Sequence, residues 1–310
     1  MKTYTLANII AIGAITLCST IQYSHAGDAF AKARRSISNI VYSDSALPQT
    51  LLRPVFIYHE FPDQVNTTAG PVAMGGDLQL YALQFEYALN ERLGLVALKD
   101  GYINYNPTPG SPFSSTDGFA DLAAGLKYAF VYDEELQLVV SGKLMYELAS
   151  GNTEVWQGNG KGSIDPSILF LKLYEDWQFS GAVGGVLPVD NDRSSLFYTH
   201  VHTSYRLHEL FMPLFEFNYF RVVDDGNGDS RFPAQVAGVV PSIVSFEGSD
   251  LVNFGASNAE QNPDIATLAF GFRSRVHEGI DVGCTYEIPV TAKNDSLFEN
   301  RITLDAVIRF

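Results

Sequence analysis

The sequence predicts an all-β chain closed into an antiparallel transmembrane β-barrel of about twelve strands, of the bacterial outer-membrane type. Three observations predict it. Apolar and polar residues alternate with a period of two over segments of roughly ten residues, the length a tilted membrane-spanning strand needs. The connectors between those segments alternate between short and long along the chain. After Ala26 charges or Gly, Pro and Asn clusters break every apolar stretch before it reaches the roughly 18 residues of a spanning helix, so a membrane can be crossed only by strands.

Composition narrows the function classes. At 46% hydrophobic and 18% charged, 310 residues can build a sizeable core. The 20 Lys and Arg against 35 Asp and Glu give a net charge of −15, the opposite of the basic footprint that phosphate backbones require, so no nucleic-acid partner is expected. Two cysteines, Cys18 and Cys284, leave no disulfide framework and no multi-cysteine zinc site; no cofactor is expected.

From the N-terminus, Lys2, an apolar run containing Ile9, Ile10, Ile12 and Ile15, and the small-x-small ending Ser24-His25-Ala26 predict a signal peptide over 1–26, cleaved between Ala26 and Gly27. Ile15, Thr16 and Leu17 before Cys18 supply no small residue directly preceding it, against a lipid anchor. Residues 27–50 are then a periplasmic N-terminal tail or a plug; the pair Arg34 and Arg35 would suit an acidic lumen. The barrel domain occupies 51–310.

Its strands are expected at 53–61, 77–89, 93–105, 118–131, 136–148, 163–174, 177–189, 195–207, 210–222, 265–276, 280–291 and 297–310. In the fifth, Leu136, Leu138, Val140, Leu144, Tyr146 and Leu148 alternate with Gln137, Ser141, Lys143 and Glu147, one face for lipid and one for water. The eighth sets Phe197, Val201 and Tyr205 against His200, His202 and Arg206. The last sets Ile302, Leu304 and Ile308 against Arg301, Asp305 and Arg309. Five connectors are tight, near Glu91, Glu134, Asp176, Glu209 and Gly279, and six are longer, as periplasmic turns and outer loops alternate in such barrels. Aromatic pairs near strand ends, Tyr58 with Phe61, Tyr102 with Tyr105, Phe130 with Tyr132 and Tyr174 with Trp177, predict interfacial girdles. Terminal Phe310, with apolar residues every second position before it, resembles the C-terminal barrel-assembly signal, which implies the barrel-assembly machinery and outer-membrane lipid as partners.

The run holding Gly118, Asp121, Leu122, Gly125, Leu126, Lys127 and Tyr128, then the strand from Leu144 closing in Gly151-Asn152, resembles the outer-membrane family called MetA-pathway of phenol degradation, or transporter-like. Weaker echoes are the segment from Val183 to Pro188 and Leu214, Glu216 and Asn218. The resemblance implies a barrel and a channel, and it carries no catalytic residues.

The inward parity assigns lumen-lining positions. They are Glu86, Lys127, Lys143 and Glu147 in the first half of the barrel. His200, His202, Arg206, Glu216 and Asn218 follow in the middle, and Arg273, Arg275, Glu287, Arg301, Asp305 and Arg309 in the last third. The late arginines suggest a basic stripe facing Glu86 and Glu147 across the pore. Replacing Arg273 and Arg275 with Gln is then expected to shift ion selectivity. His200 and His202 could ligate a metal only with a third group such as Glu216, and no metal site is assigned. His202-x-Ser204 resembles the His-x-Ser element of outer-membrane phospholipases and lipid A deacylases, but continues with Tyr205-Arg206 instead of Asn and faces the lumen. The loop 224–229 has the acidic, Gly-rich look of a calcium site without its sixth-position glycine or twelfth-position glutamate. The apolar stretch 236–246 that follows is a candidate constriction.

The function this predicts is passive diffusion of small solutes, hydrophobic or aromatic ones among them, through an outer-membrane channel after export. An outer-membrane lipid hydrolase and a filled structural or adhesive barrel are the alternatives.

Overall fold

The computed structural model describes residues 28–233 and 238–310; the expected signal peptide, Ala26 and Gly27 lie outside the described residues. Strands β1 (Leu51–Glu60), β4 (Asp77–Ala88), β5 (Leu93–Lys99), β6 (Tyr102–Asn106), β7 (Thr116–Phe119), β8 (Leu122–Asp133) and β9 (Leu138–Leu148) form the first half of one sheet. The second half holds β10 (Ser163–Tyr174), β11 (Trp177–Pro188), β12 (Ser195–Tyr205), β13 (Met212–Asp224), β14 (Asp264–His277), β15 (Ile280–Pro289) and β16 (Asn300–Arg309). A separate hairpin, β2 (Gln64–Val65) with β3 (Val72–Ala73), sits in the first long loop. Every pairing is antiparallel, and β1 bonds both β4 and β16, which closes the sheet. Because β5 with β6, and β7 with β8, are halves of single crossings, the 14-stranded sheet has twelve walls. Closure gives the crossings backbone partners on both sides, as lipid demands, except over the short β7, which pairs with β6 alone and on its other side meets Asn152.

The period of two decides which side chains go where. In β9, Leu144 and Leu148 point outward and are more than half exposed, while Ser141, Lys143 and Glu147 are buried inside. Leu83, Leu126 and Tyr128 continue the outer apolar band. No helix among the described residues is long and apolar enough to cross a membrane; the crossing is made by strands.

Three expectations are corrected. The third and fourth crossings are kinked rather than continuous. At the first kink Gly101 takes φ 132, where a Cβ would lie 2.6 Å from a Leu80 methyl, and the Asp100 carboxylate replaces the ladder by accepting the Leu83 N–H at 3.1 Å. At the second, Asp121 accepts the amides of Gly151 and Gly158 at 2.8 and 2.9 Å. The loop-length contrast fades at one place, because 189–194 and 206–211 are equally long. Finally, Phe61 and Tyr105 do not join a girdle; they are buried in the barrel mouth, whereas Phe130, Tyr174 and Trp177 face outward as expected.

Candidate functional site

The barrel interior is occupied by protein. From Ala33 to Thr50 nearly every residue is buried, although none of these residues belongs to a strand. The local sequence explains the lack of regular structure. Ser, Asn and Asp side chains compete for the backbone: Asn39 accepts the Tyr42 N–H at 3.0 Å, Ser45 accepts that of Leu47 at 3.2 Å, and Ser36 donates to the Ser43 carbonyl. A segment folded this way leaves carbonyls that need donors when buried. The wall supplies them: Arg53 bonds the Ser36 carbonyl at 2.7 Å, Gln84 that of Ile40 at 2.7 Å, Lys143 that of Val41 at 3.2 Å, and Arg273 that of Arg35 at 3.0 Å. Glu216 works in the opposite sense, its two carboxylate oxygens accepting the amides of Ile37 and Ser38 at 2.8 and 2.7 Å. Apolar contacts fill the remainder, with the Tyr42 ring 4.7 Å from that of Tyr198.

Charges inside the lumen are paired locally. Arg35 and Lys127 share Asp44 and Glu86: Arg35 contacts both, and Lys127 lies 3.0 Å from Asp44 and 2.6 Å from Glu86. Glu147 accepts Lys99 at 2.9 Å and Arg193 at 2.6 Å. Asp305 joins Arg53 and Arg273, and Glu287 bonds Asn218 and Thr267 at 2.8 and 2.5 Å. The expected basic stripe facing acids across the pore is therefore not what forms. Arg273 is neutralised by Asp305, Arg301 by Asp250, and Arg275 and Arg309 by Asp281. Arg206, Arg275 and Arg309 are partly exposed at the short-turn end, Arg206 pairing with Asp176 at 2.7 Å. His200 bonds Asn218 at 3.0 Å and His202 bonds Glu216 at 2.7 Å; no cluster of three metal-ligating side chains occurs among the described residues, at the histidines or at 224–229.

The opposite mouth is closed by the long loop after β13. Of the apolar stretch at 236–246, residues 236 and 237 lie outside the described residues, and Val239 is at the surface. Occlusion starts later, at Val244, and runs to Ala256. Glu247 organises it from within, accepting the amides of Phe254, Gly255 and Ala256 at 2.5, 3.1 and 3.2 Å. Asp250 fastens it to the wall through two 2.7 Å bonds to Arg301. Beside it Phe61, Tyr105, Phe113 and Phe254 surround Trp156 at ring separations of 4.9 to 5.9 Å. Gly255 holds φ 69 and presses on the Asp192 carbonyl, which a Cβ would approach to 1.9 Å. Gly255→Ala is expected to dislodge this loop, measured as faster protease cleavage within 244–256 on the intact barrel.

Parity locates the wall residues, but Asp44, Asp250 and Glu247 escaped sequence reading because they lie in segments without periodicity. Arg53, Gln84 and Lys99 sit on inward positions of expected strands and were open to the same parity argument.

With this geometry described, the chain can be compared with solved structures. An outer-membrane channel from Pseudomonas putida F1 superposes with a TM-score of 0.59 at 12% identity, over 89% of this chain and 100% of that one. The fold is that of an outer-membrane β-barrel. The NanC porin matches with a TM-score of 0.49 at 10% identity, over 84% of this chain and 100% of that one. The KdgM porin, solved in complex with disordered oligogalacturonate, matches with 0.42 at 10% identity, over 83% and 99%. No protein-family model and no curated protein matches the chain.

Proposed function

We propose that this chain is an outer-membrane channel for small solutes, exported by a cleaved signal peptide, whose pore is closed at rest by its own residues 33–50 and 244–256. The observation that carries this reading is how the N-terminal segment is held. Side-chain bonds from the wall hold it, with no backbone ladder, so it can leave without opening the barrel sheet. The family resemblance in β7 to β9 supports the same reading. A preference for hydrophobic or aromatic solutes is supported by the ring cluster around Trp156 at the outer mouth, whose faces and edges offer contacts to an apolar ring. Planar-bilayer recording tests the closure. The mature chain is expected to show rare, small conductance steps, and a chain lacking residues 29–48 frequent and larger ones. A truncated barrel that is folded by heat-modifiable gel mobility yet conducts no better than the full chain would overturn the reading.

A further inference from the structure

Ser204, His202 and Glu216 stand in line on two adjacent strands at the short-turn end of the lumen. His202 and Ser204 are neighbours on the inner face of β12, and the register of β12 with β13 places Glu216 directly opposite His202. His202 Nδ1 lies 2.7 Å from Glu216 Oε1, and His202 Nε2 lies 3.0 Å from Ser204 Oγ. A carboxylate only accepts, so Nδ1 carries the ring proton and Nε2 offers its lone pair to the serine hydroxyl. That is the polarity of a nucleophile, its base and the group that orients the base. All three side chains are buried, and what covers them is the N-terminal segment: Arg34 Nε donates to Ser204 Oγ at 2.9 Å, and the Gln178 side chain clasps the Arg34 amide and carbonyl at 2.7 and 2.6 Å. Retaining the segment requires Glu216, which takes the amides of Ile37 and Ser38, but not the Ser204–His202 bond.

We propose that Ser204 and His202 form an acyl-transfer site, positioned by Glu216 and masked by Arg34, that acts on short soluble carboxylic esters once the N-terminal segment withdraws. The substrate is soluble because Val201 and Thr203 face the lipid while Ser204 faces the lumen. Ser204 Oγ bonds the acyl carbon as its proton passes to His202 Nε2; the ester C–O bond breaks and the alcohol leaves with that proton. Water then attacks the acyl-serine, releasing the carboxylic acid and restoring the serine hydroxyl. The proposal rests on the mobility of residues 33–50 inferred above, and the test separates the two.

The probe is diisopropyl fluorophosphate, which bonds serine oxygen as fluoride departs, with the adduct located by peptide mass. In full-length chains the Arg34→Ala variant is expected to label at Ser204 at least roughly tenfold faster than wild type, and His202→Asn in that background to slow labelling by roughly a hundredfold or more. Glu216→Gln slows labelling and flattens its pH profile, as loss of an orienting carboxylate does. Reagent access is measured separately with Ser204→Cys in a Cys284→Ser background and a small methanethiosulfonate. A thiol that reacts in the Arg34→Ala chain while its serine counterpart stays unlabelled overturns the triad and leaves the channel reading intact. A thiol that stays protected in every variant overturns the mobile segment and the proposal with it.

Discussion

Replacing Asp305 with alanine is expected to lower barrel stability by about 3–5 kcal/mol, the loss that follows when one partner of a buried ion network is removed. Asp305 is buried on β16 between two buried guanidiniums: Arg53 of β1 donates at 2.7 Å, and Arg273 of β14 makes two bonds of 3.0 Å. Its removal strands two cations in the interior at the seam where the last strand meets the first. The reach of Arg273 across β15 depends on Gly283, which the register places between Arg273 and Asp305. A Cβ there would sit 2.7 Å from Asp305 Oδ1 and 2.4 Å from the Ile37 methyl, so Gly283→Ala disturbs the wall and the N-terminal segment together. The measurement is the urea midpoint of the heat-modifiable band. Exchanging both members in Arg273→Met with Asp305→Leu restores part of the loss, because the pair's own desolvation is then avoided. An unchanged midpoint in Asp305→Ala would show that the seam is not held by this network.

The wall of this barrel was legible in the sequence, because closure forces every strand to present lipid on one side and protein on the other, and that constraint writes a period of two. Leu144 with Lys143, or Ile302 with Arg301, states it within two residues. The kinks were not legible, since Asp100 and Asp121 act as acceptors for amides distant in sequence and a lone aspartate within a strand carries no sign of that. Nor was the filling. Residues 27–50 read only as a periplasmic tail or a plug with no register; what sequence does not encode locally is that Lys127, Lys143, Arg53 and Arg273 complete the bonds of 33–50 from four separate strands. The same charges that read as the lining of a water-filled pore are, in the structure, the partners of the segment that fills it. Mixed sign on the inner face thus has two physical meanings, selectivity or self-complementarity, and only the location of residues 33–50 distinguishes them.

Asp44 is the residue through which closure can be loosened at least expense to the wall, because it belongs to the filling. Burial alone would raise its pKa, but Lys127 and Arg35 beside it, with Lys143 further off, overcome that and hold it well below the ordinary carboxylate range. The folded value is the depressed one, so the stabilisation is fully present above the ordinary carboxylate range and is lost only as pH falls through the lowered value. The wild-type channel is therefore expected to stay closed from neutrality down to about pH 4, where an unperturbed aspartate would already be half protonated. Asp44→Asn removes the charge at every pH and leaves Arg35 and Lys127 with Glu86 as their remaining shared acid. Its open probability at pH 7 is expected to rise at least roughly tenfold, the effect of about 1.4 kcal/mol on the closed state, well within the loss expected for a buried pair. Adding Lys127→Met to Asp44→Asn rebalances the cluster and returns part of the closure. Recording conductance against pH for the three chains checks both statements, and a wild-type channel that opens between pH 7 and about pH 5 would show that Asp44 is not what latches it.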